Sequence, residues 1–129
     1  RGVGVEAKVS LLAAVLEIQI QEMTTHLTTG RTGQRGSQPY ASTWMEPPYG
    51  IYRTRDGHIA IAQSSLALIA EELSSNELAE AAASRPDPAD EAALQAWRDR
   101  VYPLVQAALL PLTTEEAVER LTARGVWVG

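Results

Sequence analysis

The 129-residue sequence contains no cysteine. That excludes disulfide staples, thiolate zinc sites and cysteine nucleophiles, and it fits a cytoplasmic protein. Histidine is scarce too: only His26 and His58 occur, far apart in the chain. HExxH, CxxC and GxSxG are all missing, so the metalloprotease, redox and serine-hydrolase signatures are absent. Positive charge is in deficit. Eleven Lys and Arg stand against sixteen Asp and Glu, for a net charge of −5. That argues against a nucleic-acid partner, because phosphate binding wants a basic surface. No signal-peptide pattern opens the chain. The most apolar stretch is interrupted by Glu17, Gln19, Gln21 and Glu22, so no membrane span is expected. The chain begins at Arg1 and stops in Val126-Trp127-Val128-Gly129, and both ends read as cuts.

What is present suits one domain, or one domain with an appendage, and 45% hydrophobic residues allow a packed core. The clearest local signal is PPYGIYRTRDGHIAIA, from Pro47 to Ala62. Two alternating runs flank Thr54-Arg55-Asp56-Gly57, and Asp-Gly tolerates the positive φ that a tight hairpin demands. Ile51, Ile59 and Ile61 mark the apolar face. Arg53, His58, Ala60 and Ala62 interleave with them.

Ahead of the hairpin, Val5, Ala7 and Val9 alternate with Glu6 and Lys8, the pattern of a short half-buried strand. Gly2 and Gly4 form a lone GxG, which reads as a flexible approach to that strand. Ser10 is placed as an N-cap, and a long helix follows from Leu11. Leu12, Val15, Leu16, Gln19, Met23 and His26 fall on one stripe. Leu11, Ile18 and Ile20 widen it, so the helix needs cover on more than one side. Gly30 is placed to end it. His26 suits the negative end of the helix dipole, and no second ligand stands near it. From Gly30 to Pro48 the chain is rich in Gly, Pro, Ser and Thr without periodicity, which marks a linker. Arg31 and Arg35 in it form a small basic cluster, readable as an anion site or as ordinary solvated charge. Tyr40, Trp44 and Met45 imply that the linker packs against something.

After the hairpin, Ser64 or Ser65 caps a helix with Leu66, Ile69, Ala70 and Leu73 on one stripe. Ser74-Ser75-Asn76-Glu77 reads as a capping box opening a helix through Ala83. Ser84 to Asp90 is a loop, with Pro88 placed for a first helical turn. Leu94, Trp97, Val101, Leu104 and Val105 make the next stripe, and Pro103 is expected to kink or restart that helix. Thr113-Thr114-Glu115-Glu116 is a further capping box. Val118 and Leu121 face inward, Gly125 ends the helix, and Val126 and Val128 begin a strand. The carboxylates Glu71, Glu72, Glu77, Glu80, Asp87, Asp90 and Glu91 fall on helix faces and in a loop. Without an apolar wall they read as solvated charge.

Three stretches together resemble the family III CoA-transferases, the CaiB/BaiF group that includes α-methylacyl-CoA racemases. Gly4 to Val15, GVEAKVSLLAAV, is similar to the family's glycine, strand and "VSLLDAAL"-type helix start. Pro48 to Ala62 resembles "PYGxYxTxDGxIAIA" and is the most specific of the three. Glu119 to Val126 resembles the "LxxxGVPxGPV" run. The resemblance implies an α+β chain: strand, long helix, linker, then a small lobe with an antiparallel hairpin and several helices. On the family's layout, residues 1–29 are the tail of a large Rossmann-like lobe, 30–46 a linker, and 47–129 the small α/β lobe of an interlocked homodimer. It implies acyl-CoA and a carboxylic acid as substrates, and no tightly bound cofactor or metal.

The family's transferases attack the thioester with an aspartate at the start of that helix, passing through a mixed anhydride and an aspartyl-CoA thioester. Its racemases use the aspartate with a histidine as an acid/base pair. Here the matching residue is Ala13, which does neither, and Glu17 is one turn further along the same face. The resemblance therefore leaves three readings: a CoA-transferase, a 2-methylacyl-CoA racemase, or a non-catalytic dimerisation scaffold. The chain also departs from the family at Gln63-Ser64-Ser65-Leu66, where an asparagine and a tryptophan are common, and at Trp127, where the family has a proline.

Overall fold

The computed structural model describes residues 2, 4–38 and 41–129. Arg1, Val3, Pro39 and Tyr40 lie outside them, Tyr40 being one of the residues expected to pack the linker. The chain divides into two units, 1–34 and 35–129.

In the first unit, α1 (Leu11–Ile18) and α2 (Ile20–Thr29) follow each other directly. Ser10 caps α1 by accepting from the Ala13 N–H at 3.3 Å. The single long helix expected here is interrupted at Gln19. Its main-chain N–H turns to the Glu17 carbonyl, while its side-chain amide donates to the Val15 carbonyl at 3.3 Å. The side chain takes the acceptor that the helical N–H would have used. Gly30 ends α2 at φ 71° and donates to the His26 carbonyl, the left-handed stop that glycine permits. The strand expected at Val5–Val9 is not formed. Those residues form no ladder and are exposed, since a strand without a partner has nothing to bury against.

The second unit is α+β. A hairpin of β1 (Gly50–Arg53) and β2 (His58–Ile61) carries α3 (Leu66–Glu72), α4 (Asn76–Ala83), α5 (Glu91–Leu109) and α6 (Thr114–Ala123). The register pairs Tyr52 with Ile59 and Ile51 with Ala60. Opposed residues share a face, so Tyr52, Ile59 and Ile61 point inward while Ile51 points out. This corrects the expected face. A four-residue loop fixes the pairing parity, and Ile51 then cannot join Ile59 and Ile61. Past α6, the Ala62 N–H donates to the Trp127 carbonyl, and Ala60 and Gly129 exchange both of their main-chain bonds. The expected strand at Val126 and Val128 is thus a short third ladder along β2, registered at Ile61 and Val128.

Caps set most helix starts. Ser65 accepts from Leu68, Ser75 from Leu78, Asp90 from Ala93 and Thr113 from Glu116. Two expectations shift by a residue or more. Ser75 is the cap of α4 while Ser74 sits at φ 52°, so the third helical position is Leu78 and no Ser74–Glu77 box forms. Helix α5 starts at Glu91 behind Asp90, leaving Pro88 in the loop. Pro103 neither ends nor restarts α5. It forfeits one bond to the Asp99 carbonyl, and the packed face below outweighs that loss. The Thr113–Glu116 box forms on both sides.

The core joins the inner hairpin face to the helices. Ile69, Leu78, Val101, Val105, Leu109 and Leu121 are fully buried around Ile59 and Ile61. Each large aliphatic side chain removed from water contributes roughly 1.5–3 kcal/mol before entropy is charged against it. The Trp97 indole N–H donates to the Ala81 carbonyl at 2.8 Å, tying α5 to α4 without leaving a buried donor unmet.

Candidate functional site

The outer face of the hairpin carries the residue pattern that its inner face excludes. Ile51, Ala60 and Ala62 point away from the core, and two of the three are small. Tyr49, Ala41 and Ser42 rise on one side, and Trp127, Val128 and Gly129 on the other. Together they line an open groove of about 720 Å³, a size typical of small-molecule sites. Among the described residues its lining includes no carboxylate, imidazole, amine or guanidinium side chain. Among the described residues Ser42 and Tyr49 bring its only side-chain oxygens. Chemically the groove can bind and exclude water from an apolar group. It has no acid or base with which to move a proton.

One wall of the groove is gripped from behind by α5. Arg98 donates to the Thr43 carbonyl at 2.7 Å and to the Ser42 carbonyl. The Tyr102 hydroxyl donates to the Tyr49 carbonyl at 2.8 Å. Gln106 exchanges two bonds with the main chain of Arg53, at 2.8 and 2.9 Å. The Tyr102 ring stacks on Tyr52 with centroids 6.2 Å apart. Burial pushes the Tyr52 phenol far above its ordinary range, and the neighbouring Tyr102 adds to this. Burial also raises Tyr102, although Arg98 opposes it. Both phenols therefore stay protonated. Nearby, Asp99 accepts from the Ser37 N–H at 2.8 Å. Partial burial pushes that carboxyl up, and the hydrogen bonds from Ser37 and Gln95, with a smaller contribution from the Arg98 charge, outweigh it, leaving Asp99 below the usual range. Glu46 and Arg85 form a two-pronged pair at 2.6 and 2.7 Å that lowers the Glu46 carboxyl.

The hairpin turn is a second polar cluster, and its role is structural. Asp56 accepts from the main-chain N–H of Thr114 at 2.8 Å and from its hydroxyl at 2.9 Å. The buried Thr54 hydroxyl lies 2.8 Å from that of Thr114 and accepts from the Gly57 N–H at 3.1 Å. An anion at the first turn of α6 meets unpaired N–H groups there. Gly57 does not adopt the positive φ expected of it. A Cβ at that position would stand 2.8 Å from the Thr114 hydroxyl oxygen, so close approach is what requires glycine.

Ala13 and Glu17 are exposed positions of α1. His26 Nδ1 lies 3.0 Å from the Arg31 carbonyl. His58 sits on the outer hairpin face opposite Arg53. Arg35 lines a small polar hollow with Gly36, Ser37, Gln38 and Thr43. No cluster of three metal-ligating side chains occurs among the described residues. No helix among them is long and apolar enough to cross a membrane. Glu71 pairs with Arg124 at 2.7 Å and Glu72 with Arg120 at 3.0 Å, so these acids join α3 to α6. Sequence reasoning missed Arg98, Tyr102 and Gln106. Their signal was present as an i, i+4, i+8 polar row flanking the apolar stripe of α5.

Comparison with known proteins places this architecture. The family model described as CoA-transferase family III matches residues 1–129, the whole chain. The chain belongs to that family. Among solved structures it is similar to a CaiB/BaiF family protein from Brucella suis, with a TM-score of 0.56 and 18% identity over 93% of this chain. At that identity the likeness is one of fold, and the chain spans 31% of the length of the Brucella suis protein. No curated protein matches the sequence.

Proposed function

We propose that this chain is part of a CoA-transferase that moves CoA between two carboxylic acids, works as a homodimer in the cytoplasm, and takes acyl-CoA and a free acid as its substrates. The observation that carries the reading is the family match across all 129 residues. The groove on the outer hairpin face supports it. An uncharged groove of ligand size suits the apolar acyl part of a thioester better than CoA's phosphates, which want cationic partners.

On this reading the chain supplies binding surface, and Ala13, at the family's nucleophilic aspartate position, supplies no nucleophile. A nucleophilic carboxylate needs a partly enclosed site with donors for the developing oxyanion. Glu17 is exposed on α1, and Ala13 offers only a methyl group. One observation favours the scaffold instead: Ala13 matches the aspartate position that the resemblance assigns. The two readings separate in one experiment. The full-length protein is incubated with an acyl-CoA and an isotopically labelled acid, and the products are followed by mass spectrometry. Labelled acyl-CoA is the expected product. Exchange of the α-proton without transfer would mark a racemase, and neither reaction would leave the scaffold.

A further inference from the structure

Arg98, Tyr102 and Gln106 stand four residues apart on α5; the first two grip main chain in the stretch that forms the groove, and Gln106 grips that of Arg53 at the end of β1. Arg98 is buried and spends its guanidinium on two consecutive carbonyls, those of Ser42 and Thr43. Glu46 and Asp99 feel its charge, but among the described residues no carboxylate forms a direct ion pair with it and its Nε has no partner. Burying a cation against neutral carbonyls is costly unless the geometry repays it. A hydrophobic residue would serve the core at less cost, so packing alone does not account for Arg98. The carbonyls held by Arg98 and Tyr102 belong in part to groove residues: Ser42 and Tyr49 both line it. The same stretch satisfies itself locally, with the Trp44 and Met45 N–H groups donating to the Ser42 hydroxyl. It has no helix or strand to hold its shape beyond the bridge from Ala41 to Gly50.

We infer that Arg98 is a positioning residue, with Tyr102 and Gln106 continuing its row, that fixes the Ser42–Tyr49 wall and so sets the affinity of the groove for an acyl group. The wall part of this inference stands on geometry alone. The acyl part rests on the function proposed above. Arginine is required because only a planar fork reaches two successive carbonyls, and a lysine ammonium makes a single-point contact.

Two readouts on the full-length protein test it. The first is hydrogen exchange of the Trp44, Met45 and Tyr49 amides in wild type, Arg98→Ala, Arg98→Lys and Tyr102→Phe. The expected result is exchange roughly tenfold faster or more at these three amides in every variant, with the amides of Val105 and Leu121 unchanged. Unchanged exchange at 44–49 would overturn the inference. So would equal acceleration at Val105 and Leu121, because Arg98 would then be a general core residue. Tyr102→Phe keeps the ring stack and removes only the hydroxyl, so it decides the matter if Arg98→Ala fails to fold. The second readout is transfer from decanoyl-CoA. Arg98→Lys is expected to raise KM about tenfold with kcat nearly constant, the signature of lost uniform binding. A fall in kcat at constant KM would overturn the acyl assignment. If wild type transfers no CoA, the proposed function has failed, and the exchange result still decides whether Arg98 holds the wall.

Discussion

The Asp56 carboxylate lies 2.8 Å from the main-chain N–H of Thr114, and the Gly57 Cα faces the same threonine so closely that a methyl group would stand 2.8 Å from its hydroxyl oxygen. A hairpin turn is thereby docked onto the start of a helix 58 residues later in the chain. The Thr-x-Asp-Gly part of the family-like motif is explained by this contact. Thr54 bridges the turn, Asp56 meets the helix N-terminus, and Gly57 leaves room for both.

Removing that contact has a measurable consequence. Asp56→Ala is expected to lower Tm by about 4–8 °C, the shift that one lost helix cap produces in a domain of this size. Gly57→Ala is expected to destabilise as well, although its backbone is ordinary. In a Thr114→Ala background the cost of Gly57→Ala should shrink, because the obstructing hydroxyl is gone. Thermal melts of the four proteins in this cycle check the coupling. Strict additivity would show that the threonine is not what excludes the methyl.

The acidic limb of the stability curve follows from four carboxylates. The Thr114 N–H lowers Asp56, the Thr113 N–H lowers Glu116, Arg85 lowers Glu46, and the Ser37 bond prevails over burial at Asp99. In the unfolded chain these groups titrate near about 3.9 to 4.3. Between those values and the lower folded ones the unfolded state binds more protons, so stability rises with pH in that window. Their contribution is fully present at neutral pH, begins to fall below about pH 5, and is lost as the folded groups protonate. A Tm series from pH 7 to 3 should show this decline, and Asp56→Asn should flatten it. A Tm independent of pH below 5 would contradict the assignment.

The helix α6 packs through one buried leucine. Leu121→Ala is expected to cost about 2–5 kcal/mol in urea unfolding, the range for opening a cavity in a close-packed core. Leu110 is also a leucine near a helix end, but 46% of it is exposed. Leu110→Ala should change stability by roughly 0.5 kcal/mol or less. Equal losses would mean that the packing described around Ile59 and Ile61 is wrong.

The local structure that obeys short-range rules was legible in the sequence. The hairpin, the Ser10, Ser65 and Thr113 caps, the Gly30 stop and the stripes of α3 and α5 all depend on residues within one or two turns of each other. Ile51 was misread because its face is decided by pairing across the loop, which counting along one strand does not give. Val5 to Val9 was misread because alternation describes a strand only when a neighbour completes it. Gly57 was correctly singled out for the wrong reason: its neighbour, Thr114, is remote in sequence. The groove was not legible at all. It is made by the face of the hairpin left over from the core and by two segments about 85 residues apart. The Arg98 row was overlooked because a polar residue beside an apolar stripe ordinarily faces water.

The most direct test of the account is CoA exchange by the full-length protein, measured for wild type and for Ala13→Asp. The account predicts labelled acyl-CoA from wild type, and a rate for Ala13→Asp within about threefold of it. Silence from wild type, with transfer appearing only in Ala13→Asp, would contradict it. That result would place the nucleophile at position 13 and make the natural protein an inactive scaffold.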